Sequence, residues 1–432
     1  MQRPASRPCQ ACSSSRTRFP RCRRRSSCSA ARSSRTSSEE PLMVSHTRTR
    51  LTEVLDAEGL DALVATSTEN LQYVTGFRSI AHALFRGLEL YGVFTRRGTG
   101  LVVPFIDTSG VAADEIHADA LACYGKFFFE YADDPGVIGR KVRDWTRAPA
   151  ASPVDALLKV LGDLGVLDAR IGVDESGLFP TAWRTLEERV KGALTPAYQL
   201  FRRARMVKSP EEVARLERAA QIAEAGVAAV LAMLEPGVTE REAAYVYEAE
   251  ILRRGAQPFF TVITIGERAA LADVYPAERA LKLGDMVRFD LGCVSHGYRS
   301  DIARTVVLGK PGDKLARFYA AILAGEKAAI GAMKPGVPVS EIFDVAVRVT
   351  RERGLPHYQR HHVGHGIGLE PYDPPTLNAA TQTLLQPGMV FCVETPYYEH
   401  GWGGVQVEDA VEVTAGGTRR LTRSSQDLAI IG

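Results

Sequence analysis

The chain has 432 residues, too long for one ordinary hydrophobic core, so two domains are expected. Its 45% hydrophobic and 24% charged content is that of a globular protein, and no apolar run approaches the ~20 residues that span a bilayer, which argues against a membrane partner. The net charge of +2 hides an asymmetry: residues 1–40 hold ten arginines against two glutamates (+8), the remainder carries −6, and a mildly acidic body argues against a nucleic-acid partner.

Residues 1–42 are rich in Arg, Ser and Cys and lack hydrophobic periodicity. Such a head suits a transit peptide, and Cys9 and Cys12 have a zinc-like spacing without a second close pair. The reading adopted is an extension ahead of a natural start at Met43, disordered in either case. Beyond it, Cys123, Cys293 and Cys392 are scattered among apolar neighbours, which predicts reduced thiols and a cytoplasmic setting.

A globular pattern begins near residue 47. Residues 48–58 read as an amphipathic helix, 62–65 as a buried strand, and 71–77 as a small helix or turn. Residues 88–94 and 99–103 read as a hairpin around Arg96-Arg97-Gly98. A helix over 154–167, a strand over 170–174 and a helix over 182–190 complete an α/β domain assigned to residues 43–200. It holds no phosphate loop, G-x-G-x-x-G or nucleophile elbow, so its expected role is to shape a site elsewhere or to form a subunit interface.

The second domain is assigned to residues 201–432. The basic run FRRARMVKS at 201–209 reads as a solvated face with no role in a site. Ser209-Pro210-Glu211-Glu212 then starts a helix that runs to about residue 234 and stops at Pro236-Gly237. A helix over 239–255, a strand over 259–265, a loop over 266–282 and helices over 313–333 and 339–353 follow, the last with Ser340 as its cap. The expected architecture is α+β, helices covering a mostly antiparallel sheet.

Within that domain, residues 286–308 (MVRFDLGCVSHGYRSDIARTVVL) read as two strands around Ser295-His296-Gly297, with Asp290 and Asp301 where apolar residues belong. A hairpin centred there sets the two carboxylates opposite each other, roughly 5 Å apart at Cβ. Bare carboxylates so close repel, and a divalent cation relieves the repulsion. Three further candidates stand in odd places. His365 lies between glycines in HHVGHGIGLE, with His361 four residues earlier; Glu394 ends the apolar run 389–393; Glu408 lies on a strand face with Gln406. Asp290, Asp301, His365, Glu394 and Glu408 make a hard oxygen set with one nitrogen, suited to two divalent ions such as Mn²⁺, Co²⁺, Fe²⁺ or Zn²⁺. Two such ions would supply a hydroxide near neutral pH and polarise a carbonyl.

The order Asp, Asp, His, Glu, Glu, with ten residues between the aspartates, resembles the pita-bread metallopeptidases: aminopeptidase P, prolidase, methionine aminopeptidase and creatinase. The resemblance spans 205–425 and, more weakly, 50–200, which is similar to the creatinase/prolidase amino-terminal domain. It implies a carboxy-terminal pita-bread catalytic domain, an Xaa-Pro aminopeptidase or dipeptidase activity through a metal-bridging hydroxide, and a homodimer. By resemblance, Asp290 and Asp301 hold one metal, His365 and Glu394 the other, and Asp301 and Glu408 bridge. Glu394 is also the general base, and His361 a second contact to the site or substrate. Three positions depart from the family pattern: the frequent arginine two residues before its last glutamate is Gln406, as in methionine aminopeptidases. The family's substrate-binding histidine seventeen residues before the first aspartate is Asp273, and the one seven residues after the ligand histidine is Tyr372. Tyr372 remains a candidate oxyanion donor and Asp273 a candidate binder of a substrate ammonium or guanidinium. The alternative is a non-peptidase hydrolase of a small amide or other C–N substrate on the same centre.

Overall fold

The structure, a computed structural model, describes residues 39–432, with side chains from residue 45. The expected disorder of residues 1–42 therefore falls outside it up to residue 38, while residues 39–42 begin the first helix.

In the first domain α1 (Glu39–Glu58) leads into β1 (Ala62–Ala65), α2 (Thr68–Thr75), α3 (Ile80–Leu84), β2 (Tyr91–Thr95), β3 (Thr99–Pro104), α4 (Thr108–Ala113) and β4 (Ala120–Tyr124). It continues with α5 (Gly136–Trp145), α6 (Pro153–Asp163), β5 (Arg170–Val173), α7 (Pro180–Arg189) and β6 (Ala193–Pro196). The six strands order as β4-β3-β2-β1-β5-β6. β1 to β3 pair antiparallel, and the outer pairings are parallel, as crossovers through helices require. Helix α5 was not expected, although its sequence is amphipathic.

Helix α8 (Tyr198–Arg205) links the halves. Here the sequence expectation fails in part: Arg203 is exposed, but the rest of the basic run is not a solvated face. Arg205 is 1% exposed and Lys208 4%. α9 (Pro210–Leu231) and α10 (Glu240–Arg253) each open with a complete capping box, Ser209 with Glu212 and Thr239 with Glu242. They form an antiparallel pair, and Gly226 lets Tyr247 of α10 lie against α9, since a Cβ there would meet the ring at 2.5 Å. α11 (Asp313–Ala332) and α12 (Val339–Glu352) form a second pair. Ser340 lies inside α12; its first residue follows Pro338, and no side chain caps it.

The strands of this half are β7 (Gln257–Ile265), β8 (Met286–Ser295), β9 (Tyr298–Arg299), β10 (Ile302–Leu308), β11 (Gly364–Gly366), β12 (Asp373–Thr376) and β13 (Val390–Glu394). β14 (Tyr397–Glu399), β15 (Gly403–Val405), β16 (Glu408–Thr414), β17 (Gly417–Arg420) and β18 (Ala429–Ile431) complete it. The main sheet runs β12-β11-β13-β16-β10-β8-β7. Each helical pair covers part of it. α9 and α10 pack on Val287, Phe289, Leu291 and Cys293 of β8, while α11 and α12 pack on Phe391 and Val393 of β13 and Val411 and Val413 of β16. The alternate residues of β8 and β13 consequently face the other side, where the polar residues gather.

The hairpin register corrects the sequence reading. Its turn is two residues, His296 and Gly297, both at positive φ (52° and 87°), a type I′ turn. Asp290 consequently pairs with Ala303, not with Asp301. The two aspartates share a face as diagonal neighbours, two positions apart. Gly297 is needed where it is because its φ of 87° strains any L side chain, and the Gln72 amide donates to the neighbouring His296 carbonyl at 2.9 Å. α2 of the first domain thus rests on the hairpin tip.

Candidate metal centre

The polar face of the main sheet floors a cavity of about 830 Å³. Asp290, Asp301, His365, Glu394 and Glu408 all line it, joined by Gln406, Asp273 and Tyr372. β8 supplies Asp290, the residue before β10 supplies Asp301, and β11 supplies His365. Glu394 closes β13 directly opposite Glu408, which opens β16. The hairpin of β8 and β10, the glycine-flanked β11 and the pair β13–β16 converge because the sheet sets them as neighbouring strands.

His365 is 1% exposed, and Asp301, Glu394 and Glu408 are each at or below 6%. His365 Nδ1 lies 3.1 Å from the Gly366 carbonyl. A proton on Nδ1 donates there, which leaves the Nε2 lone pair facing inward, 3.7 Å from Asp301 Oδ2 and 3.9 Å from Glu408 Oε1. Burial lowers the His365 pKa, so the neutral, ligating form is favoured. Asp301 Oδ1 and Glu408 Oε1 have no hydrogen-bond partner although buried. Burial, then the neighbouring carboxylates, raises the pKa of Asp301 and Glu408, and burial raises Asp290 to about 6 against the pull of Arg288. Glu394 goes the other way. Burial pushes it up, but His362, with Nε2 3.0 Å from Glu394 Oε1, and Arg360 outweigh that and hold it low. Buried carboxylates with orphaned oxygens around a neutral imidazole are unfavourable unless cations neutralise them, and the donors are those that hard divalent ions take. The residues fit a divalent metal centre.

Several supporting residues lay outside the sequence reading. Arg288, 0% exposed, donates to Asp290 at 3.2 Å, to Gln406 Oε1 at 2.8 Å and to the carbonyls of Ala269, Leu271 and Ala272. Its position two before Asp290 on the same strand carried the signal, since period two puts both on one face. Gln406 Nε2 in turn donates to Glu394 at 3.3 Å. His361, expected to contact the site, is exposed and its Nδ1 meets His362 Nδ1 at 3.2 Å; the neighbouring His362 is the one that reaches Glu394. The Tyr372 ring stacks on His365 with centroids 3.7 Å apart and planes at 17°. Burial, then the charges of Glu394, Glu408, Asp301 and Asp290, raises its pKa. Asp273 lies exposed at the cavity wall, in the loop that Arg288 ties down.

The profile of metallopeptidase family M24 matches residues 214–415, and that of the creatinase/prolidase amino-terminal domain matches 48–207. The Xaa-Pro dipeptidase of Pyrococcus furiosus is 36% identical over 226 residues, which covers 52% of this chain and 65% of that protein, just under two thirds of its length. The Bacillus subtilis protein YkvY is 30% identical over 385 residues, 88% of this chain and 99% of its own. Among solved structures, an Xaa-Pro dipeptidase from Bacillus anthracis is similar with a TM-score of 0.76 at 26% identity, covering 90% of this chain and 100% of the other. The amino-terminal domain of the FACT complex subunit SPT16 from chickpea shares the fold, with a TM-score of 0.67 at 17% identity, covering 90% of this chain and 99% of the other. That likeness is of fold alone and carries no chemistry. Taken with the profile matches and the full-length relative, the cavity and its buried acidic floor place the chain in metallopeptidase family M24, with a pita-bread domain behind a creatinase/prolidase amino-terminal domain.

Proposed function

We propose that this protein is a metal-dependent hydrolase that cleaves an Xaa-Pro bond in short peptides, as an aminopeptidase or dipeptidase. The observation that carries the reading is the convergence of Asp290, Asp301, His365, Glu394 and Glu408 on the floor of one cavity, with buried oxygens left without partners. Two divalent ions held there would supply an activated water and polarise the scissile carbonyl. Asp290 and Asp301 would hold one, His365 and Glu394 the other, with Asp301 and Glu408 shared.

The chain's own groups then do the following. Glu394 is kept ionised by its surroundings, so its carboxylate takes the proton of the attacking water and returns it to the leaving nitrogen. Tyr372, held against His365 beside the carboxylates, presents its hydroxyl as the donor to the carbonyl oxygen where charge develops. Asp273 offers a carboxylate to the substrate's ammonium. A cavity of about 830 Å³ suits a di- or tripeptide and excludes a folded protein. The carboxylate and phenol at 273 and 372 also favour a second reading, hydrolysis of a small amide carrying a cation.

The test is metal analysis of chelator-free protein, followed by a metal-loaded screen of Xaa-Pro peptides against N-acyl and cyclic amides. Up to two transition ions per chain and turnover of Xaa-Pro peptides are expected. Full activity in metal-free protein would overturn the reading, and turnover restricted to the amides would shift it to the second.

A further inference from the structure

Helix α8 belongs to neither sheet; of its arginines Arg203 pairs with Glu58 of α1, while Arg202 and Arg205 are spent on one short segment at the cavity wall. Arg205 Nη2 donates to Glu370 Oε1 at 2.5 Å and to Asp373 Oδ1 at 3.0 Å, and Lys208 Nζ lies 3.3 Å from Asp373 Oδ2. Arg202 Nε donates to Glu370 Oε2 at 3.1 Å and its Nη2 to the Tyr372 carbonyl; Tyr198 also donates to Glu370, at 3.2 Å. Glu370 and Asp373 thus bracket Tyr372 on both sides. The segment is folded tightly against β11: a Cβ on Gly368 would lie 2.0 Å from Asp373 Oδ2, and one on Gly366 2.5 Å from the Asp373 carbonyl. On its far side Arg205 Nη1 donates to Asn70 Oδ1 in α2, and Asn70 Nδ2 donates to Asp174 Oδ2 at 2.7 Å. Asn70, Asp174, Arg205 and Asp373 are all at or below 1% exposure.

Buried charges need partners with good geometry, and these have them at every step. The arrangement is more than a stability device, because the residue it immobilises has its ring on His365 and lines the cavity. We propose that Arg205, with Arg202, is a positioning residue for Tyr372: α8 clamps residues 370–373 so that the Tyr372 ring stays on His365, and through Asn70 it ties that placement to the amino-terminal domain. The inference rests on the reading of the cavity as a hydrolase site for its kinetic arm only.

The experiment uses the full metal-loaded chain with Arg205→Lys, and Arg202→Gln as a milder variant on a less buried side chain. Hydrogen exchange of peptides covering 366–376 should rise at least about tenfold in both, with β13 and β16 unchanged and metal content at the wild-type level. On the best substrate of the screen, kcat/KM should fall about ten- to a hundredfold, mainly in kcat. In a Tyr372→Ala background neither substitution should lower it further, because the residue it acts through is gone. Unchanged exchange over 366–376, or effects that multiply with Tyr372→Ala, would overturn the proposal. If no substrate is turned over by the wild type, the hydrolase reading fails while the exchange arm still decides whether the clamp exists.

Discussion

Replacing Arg288 with Met tests how much the second layer beneath the carboxylates contributes. The guanidinium makes five hydrogen bonds and is fully buried. At about 1.5–3 kcal/mol for each bond to a charged donor, a simple sum would equal the whole stability of a typical domain, so the acceptors must be taken singly. The Leu271 and Ala272 carbonyls belong to partly exposed residues and can turn to water. Gln406 Oε1 keeps the Tyr398 hydroxyl at 3.1 Å. That leaves the Ala269 carbonyl, on a residue 0% exposed, and the charge of Asp290 without its cation. The expected loss is about 3 kcal/mol, the lower end of the ~3–5 kcal/mol seen when one partner of a buried pair is removed. Urea titration of the variant and wild type reads it. Because Arg288 lowers the Asp290 pKa, its loss also raises that pKa above about 6, so divalent-ion affinity should fall most at pH 6–7 and recover as pH rises. A stability loss under about 1 kcal/mol would refute the reasoning, since the bonds would then be exchanging freely with water.

Two further predictions concern acids with opposite roles. Glu394→Gln should lower kcat by roughly 10²–10⁴ with circular dichroism and cooperative unfolding unchanged; retained turnover would remove Glu394 as the base. Glu326, buried in α11 and accepting from Gln426 at 2.9 Å, has its pKa raised by burial and then by Asp409. A carboxyl whose folded pKa is raised gives its full stability below the unfolded value and loses it as pH climbs from about 4.5 toward the folded pKa. Glu326→Gln keeps the shape without the charge, so its Tm relative to wild type should improve from pH 5 to pH 8, and the opposite trend in thermal melts would sink the argument.

Much of the fold was legible along the chain. The capping boxes at Ser209 and Thr239, the strand at 62–65 and the hairpin around His296-Gly297 are local features, set by side chains bonding to their own backbone and by turn chemistry. The five candidate ligands were also legible, because a carboxylate or a glycine-flanked histidine inside an apolar strand is conspicuous wherever that strand pairs. Tertiary structure decided what depends on distant partners. Two positions of register moved Asp301 off Asp290 and onto a diagonal of the same face, set by the two-residue turn at His296-Gly297 that Gln72 of the first domain braces. His362 rather than His361 turned inward, a difference of one residue that only the pairing of β11 with β13 settles. The arginines of α8 read as solvent-facing because a charged run in isolation is best left in water; only the fold brought Glu370, Asp373 and Asn70 to Arg205 and made its burial favourable.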